Sequence, residues 1–120
     1  MAKILVVDDS DASRAEIANL LTEGGHTIVE ATHGKEGLDV FTKDSDFNLI
    51  ITDINMPVMD GLEMCEKIKD TGSKIPIVVV SSDSIKELKD KGRTVGVVGW
   101  VIKPFDHDIF LNGINSLLNS

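Results

Sequence analysis

The sequence predicts a doubly wound α/β domain built on a five-stranded parallel sheet, and three observations carry that prediction. Apolar runs that do not alternate with polar residues occur at Ile4 to Val7, Leu49 to Ile51, Ile77 to Val80, and Val101 to Ile102 after Trp100, with a weaker run from Thr27 to Ala31. Segments of helical periodicity separate them. The length of 120 residues suits one compact domain over 1–120. Unbroken Val and Ile runs fit strands buried on both faces, the signature of a parallel sheet covered by helices. Right-handed crossovers restrict how five strand–helix units can be wound, and order 2-1-3-4-5 is the simplest outcome. The first and third strands are then neighbours at the topological switch point, so chemistry is expected in the crevice beyond their carboxyl ends.

The helices follow from their apolar spacing. Ile17, Leu20 and Leu21 share a face of a first helix starting near Asp11 or Ser13, with Ser13 and Glu16 at capping-box spacing and Gly24-Gly25 as its stop. Leu38 and Phe41 mark a short second helix. The third is expected to begin at Asp60-Gly61 and to turn Leu62, Cys65 and Ile68 inward. Residues 85–91 are mostly charged, with Ile85 and Leu88 as the apolar pair, and predict a thin, weakly anchored and mobile fourth helix. The last helix, 106–119, aligns Ile109, Phe110, Ile114, Leu117 and Leu118 in one stripe.

Composition narrows the function. A net charge of −8 provides no positive field for nucleic acid and repels an anionic membrane, so protein partners are expected. The apolar runs are too short to span a bilayer, and residues 1–4 lead into a strand without a signal-peptide layout, which predicts a cytoplasmic protein. One cysteine, Cys65, permits no internal disulfide, fits a reducing compartment, and reads as a buried small hydrophobe. His26, His33 and His107 lack metal-ligand spacing and read as surface residues.

The first strand ends directly before Asp8-Asp9, and the third directly before Asp53. Three carboxylates converging on one sheet edge repel one another unless a cation neutralises them, and oxygen-only ligands completed by water favour Mg²⁺ over Ca²⁺. The fourth strand ends in Ser81-Ser82 and the fifth precedes Lys103-Pro104, adding a hydroxyl and an ammonium to the same rim. Nucleophilic carboxylate, metal, cation and hydroxyl are the parts that phosphoryl transfer requires, with an aspartyl phosphate as product.

In order and spacing these residues resemble the receiver domains of two-component response regulators, which have a flavodoxin-like fold. Val6-Val7-Asp8-Asp9-Ser10 is similar to the family's first-strand motif, and Asp53-Ile54-Asn55-Met56-Pro57-Val58-Met59-Asp60-Gly61 to its phosphorylation loop. The resemblance implies that Asp53 is the phosphoacceptor, Asp9 a direct Mg²⁺ ligand, Asp8 a ligand acting largely through water, and Asn55 a ligand through its backbone carbonyl. It also implies that Ser81 is the switch hydroxyl, that Lys103 pairs with the phosphoryl group, and that the bond before Pro104 is cis. Asn55 and Asp83 would modulate water access to the acyl phosphate. Trp100 stands where the family usually carries Tyr or Phe, so it reads either as a rotamer switch or as a rim-of-core residue at a strand start. Gly99 to Phe105 resembles single-domain chemotaxis-type receivers, whereas Val95, Val97 and Val98 depart from the usual pattern before the fifth strand.

The implied function is a monomeric, non-enzymatic switch. It takes its phosphoryl group from a histidine kinase or phosphotransfer protein and binds an output protein, of flagellar or chemotaxis type, through its fourth helix, fifth strand and fifth helix. A phosphorelay intermediate passing the group onward is the main alternative. A phosphohydrolase of haloacid-dehalogenase type would need an Asp where Asn55 stands, and a flavin or dinucleotide carrier would need a phosphate loop where Asp8-Asp9 stands.

Overall fold

The computed structural model describes residues 1–119. Its elements alternate as β1 (Lys3–Val7), α1 (Asp11–Glu23), β2 (Thr27–Ala31), α2 (Gly34–Lys43), β3 (Leu49–Thr52), α3 (Gly61–Asp70), β4 (Ile77–Ser81), α4 (Lys86–Thr94), β5 (Val97–Ile102) and α5 (His107–Leu118). All strand pairs are parallel, in the order β2-β1-β3-β4-β5, as the sequence predicts. Successive strand residues serve opposite faces. Leu5, Val7, Ile50, Ile77 and Val79 join Phe41, Leu62, Met64, Cys65 and Ile68 in one core layer, and Ile4, Val6, Ile51, Val78 and Val80 join Ile17, Leu21, Phe110 and Ile114 in the other. Burial pushes the Cys65 thiol up to about 12, with the Asp60 charge adding to the effect, so it is an unreactive core group. Among the described residues no helix is long and apolar enough to cross a membrane.

Several local expectations are corrected. Ser10, not Ser13, caps α1: its Oγ accepts the Ser13 N–H at 3.2 Å, because the turn at Asp8 starts the helix at Asp11. Glu16 instead meets His107 at 2.8 Å, so the capping box does not form. β5 begins at Val97, which places Trp100 within the strand rather than at its start. Val98 has no partner in the β4–β5 register, where Ile77 pairs Val97 and Val78 pairs Gly99, and this bulge leaves Val98 exposed. The α4 helix runs three residues beyond the expected 91, with Gly92 as its buried position. Ile109 leaves the inward stripe of α5 and is 73% exposed. His33 is more than a surface residue, since its Nδ1 accepts the Glu36 N–H at 3.1 Å and caps α2. His26 is half-buried, accepting the Ala2 N–H at 3.1 Å and meeting Asn115 at 2.9 Å.

In the loop before α3, Val58 has φ 69° and is 78% exposed. A β-branched residue in the left-handed region costs roughly 1–2 kcal/mol, and no burial offsets it here. Val58→Asn is therefore expected to stabilise the fold by about 1 kcal/mol, because Asn tolerates this conformation. The denaturant midpoint measures it, and an unchanged or lower midpoint contradicts the strain.

Candidate functional site

The β1–β3 register places Val7 opposite Thr52, so Asp8 and Asp53 leave the sheet side by side. The Asp53 N–H donates to the Val7 carbonyl at 2.9 Å, and the Asp8 N–H to the Ala31 carbonyl at 3.1 Å. Asp8, Asp9 and Asp53 each offer a carboxylate oxygen within 4.8 Å of the others. Asp8 is 1% exposed and its Oδ1 accepts the Ser10 N–H at 2.9 Å. The Asp53 side chain is 13% exposed, and its Oδ1 accepts the Ile54 N–H at 2.7 Å.

Lys103 closes the centre. Its Nζ donates to Asp8 Oδ2 at 2.9 Å and to Asp53 Oδ2 at 3.1 Å, joining β5 to β1 and β3. Burial disfavours this ammonium, but the hydrogen bond to Asp8 and the charge and hydrogen bond of Asp53 outweigh it and raise the Lys103 pKa above the ordinary lysine value. With all three carboxylates ionised, one ammonium leaves two negative charges uncompensated. An all-oxygen donor set with that excess fits a hard divalent cation such as Mg²⁺.

Ser81 is buried at the end of β4, and its Oγ accepts the Asp83 N–H at 3.1 Å. Its carbonyl accepts the Lys103 N–H at 2.9 Å, so hydroxyl and lysine are held by adjacent strands. The Lys103–Pro104 bond is cis. Asn55 is exposed beyond Asp53. The Asp83 carboxylate is used locally, accepting the Ile85 N–H at 3.2 Å ahead of α4. The Trp100 indole N–H donates to the Asp83 carbonyl at 2.9 Å, and the half-buried ring packs against the α2–α3 core layer.

Three supporting residues escaped sequence reasoning. Thr52 is fully buried and its hydroxyl donates to the Asp53 carbonyl at 2.8 Å. Gly61, expected only as a turn and cap residue, lies against Asp53: a Cβ there would stand 2.0 Å from the Asp53 carbonyl oxygen. Arg14 donates through Nη1 to the Asp8 carbonyl at 2.8 Å. A buried hydroxyl ending an apolar strand and a glycine opening a helix were available signals for the first two. Arg14 carried none.

Fold and site together define a flavodoxin-like domain whose switch-point crevice holds an acidic, lysine-bridged centre. The response regulator receiver domain model matches residues 4–115, and the chain belongs to that family of signalling proteins. It is 36% identical over 121 residues to a chemotaxis protein CheY homologue of Campylobacter jejuni, covering 98% of this chain and 93% of the relative. The crystal structure of the chemotaxis protein CheY4 of Vibrio cholerae superposes with a TM-score of 0.90 at 34% identity, covering 98% of each chain. Response regulator MprA of Mycolicibacterium vanbaalenii is 34% identical over 117 residues, and there the match takes in only 50% of the relative.

Proposed function

We propose that this chain is a phosphorylation-controlled binding switch of the chemotaxis type, working in the cytoplasm as a monomer and not as an enzyme. The observation that carries the reading is Lys103 bridging Asp8 and Asp53 beside Asp9. A carboxylate oxygen of Asp53 attacks the phosphorus of a phosphohistidine on a histidine kinase or phosphotransfer protein. The P–N bond breaks, and the donor imidazole takes its electron pair. Asp8, Asp9, Asp53 and the Asn55 carbonyl would hold Mg²⁺, which when bound supplies charge neutralisation for the transferring group. Lys103, already 3.1 Å from Asp53, then pairs with the new phosphoryl oxygens.

The output follows from the hydrogen bonds around Ser81. Turning its hydroxyl to a phosphoryl oxygen gives up the Asp83 N–H, and the Asp83 carbonyl is what holds the Trp100 indole. The change thereby reaches the α4, β5 and α5 side, where Val98 and Ile109 are exposed at a groove of about 360 Å³ lined by Val101, Phe105 and Phe110, and Ile102 is exposed on β5 outside it. An output protein of the flagellar or chemotaxis machinery would dock there, with no nucleic acid or membrane involved. Moving the population from 1:99 to 99:1 takes about 5.5 kcal/mol, within reach of a few charge-assisted contacts to a dianion. A relay role differs in that the phosphoryl group passes on to a histidine phosphotransfer protein.

Intact mass after incubation with acetyl phosphate tests the reading. One phosphoryl group is expected with Mg²⁺, and none with chelator or in Asp9→Ala. Uptake by Asp9→Ala equal to that of the unsubstituted protein refutes the assigned metal ligand.

A further inference from the structure

The geometry points to Arg14 as a positioning residue that fixes the peptide between Asp8 and Asp9 and so presets the carboxylate of Asp9 for a divalent cation. This inference rests on the Mg²⁺ reading above. Arg14 sits at the start of α1 with 14% of its side chain exposed, and it uses three separate nitrogens on three acceptors. Nη1 donates to the Asp8 carbonyl at 2.8 Å, Nη2 to Asp11 Oδ1 at 2.7 Å, and Nε to Glu30 Oε1 at 3.1 Å. Glu30 lies in β2 and Asp11 in α1, so the guanidinium is held from two elements while it holds a third.

The Asp8 carbonyl belongs to the peptide that carries the Asp9 nitrogen. On the inner side, Asp8 Oδ1 fixes the Ser10 N–H; on the outer side, Arg14 fixes the carbonyl. The exposed Asp9 carboxylate receives no hydrogen bond or ion pair from the described residues, so this backbone, which sets where the Asp9 Cα–Cβ bond points, is what limits the positions the carboxylate can reach. A planar guanidinium meets three divergent acceptors at fixed angles, which a lysine ammonium on a flexible stem does not reproduce. Groups that orient metal ligands without touching the ion typically change affinity about 10- to 100-fold when removed.

Charge and position predict opposite signs, which makes the inference testable. Titration calorimetry with MgCl₂ is expected to show Arg14→Gln and Arg14→Lys binding about tenfold more weakly than the unsubstituted protein. The Asp9 and Ser10 amide resonances of the metal-free variants should shift while those of Val79 and Val80 stay in place. Ile17→Val, which loosens the packing of α1 without touching the loop, should leave Mg²⁺ affinity unchanged. If Arg14 acted only through its charge, Arg14→Gln would bind Mg²⁺ more tightly and Arg14→Lys would be unchanged, and either result overturns the inference. Equal weakening by Ile17→Val also overturns it, by reducing the effect to general stability. Absence of Mg²⁺ binding in the unsubstituted protein would refute the functional reading, and unmoved Asp9 and Ser10 amides would refute the positional claim independently.

Discussion

Gly61→Ala is expected to destabilise the protein by about 3 kcal/mol and to slow phosphoryl uptake at least about tenfold, although it adds one methyl group to a helix start. The methyl carbon would lie 2.0 Å from the Asp53 carbonyl oxygen, 3.0 Å from its carbonyl carbon and 3.1 Å from Thr52 Oγ1. The two nearest are backbone atoms, which no change of rotamer can move aside. The Gly61 N–H also donates to the Ile54 carbonyl at 2.9 Å, tying the two backbones at the point where they would have to separate. Relief must therefore come from moving Asp53 or the start of α3. Moving Asp53 displaces the nucleophile from Lys103, and moving α3 breaks the Gly61–Ile54 tie that steadies the loop after it; positioning is most of what this chemistry asks of the protein. Urea denaturation and the rate of mass gain from acetyl phosphate measure the two effects. A wild-type midpoint in Gly61→Ala contradicts the close approach.

Lys103→Met is expected to cost about 3 kcal/mol in metal-free buffer, with most of the loss recovered in excess Mg²⁺. Removing the ammonium leaves the almost fully buried Asp8 carboxylate with the Ser10 N–H as its remaining partner among the described residues and two carboxylates beside it. Breaking a buried pair from one side costs about 3–5 kcal/mol, and the lower end applies because Lys103 and Asp53 retain some solvent contact. A divalent cation in the same centre supplies the missing positive charge. The raised pKa gives the sign of the pH dependence. The Lys103 contribution is fully present below the ordinary lysine pKa and disappears as pH rises through the higher folded value, so it is constant across neutral pH. Equal denaturant midpoints for Lys103→Met and the unsubstituted protein without Mg²⁺ would contradict the electrostatic role.

The parts of this fold legible in the sequence were those decided by strand burial. Unbroken apolar runs located the strands, and strand ends at Val7 and Thr52 made the meeting of Asp8 and Asp53 a consequence of sheet order. Helix starts were legible where one residue settles them: Asp60 caps α3 with Oδ1 accepting the Glu63 N–H at 2.8 Å. At α1 the sequence left Asp11 and Ser13 both open as starts; Asp11 is the start, because the turn fixed by Asp8 makes Ser10 the cap although the Ser13–Glu16 spacing is sound locally. The start of β5 was missed because Val97 and Trp100 flank a bulge at Val98 and Gly99, which breaks the apolar run. Within the site, charged side chains at strand ends announced themselves. The contacts of Arg14 and Gly61 did not, because an arginine near a helix start and a glycine at one have ordinary local explanations. Their roles depend on backbone carbonyls brought in from other segments.

In the proposed switch Asp53 itself carries the phosphoryl group. Borohydride reduction after acetyl phosphate and Mg²⁺ treatment, followed by peptide sequencing by mass spectrometry, tests it directly, because an acyl phosphate is reduced where it stands and converts that aspartate to homoserine. Homoserine is expected at position 53, none at positions 8 or 9, and none anywhere in Asp53→Asn. Phosphoryl uptake that leaves position 53 unreduced, or that persists in Asp53→Asn, would contradict it.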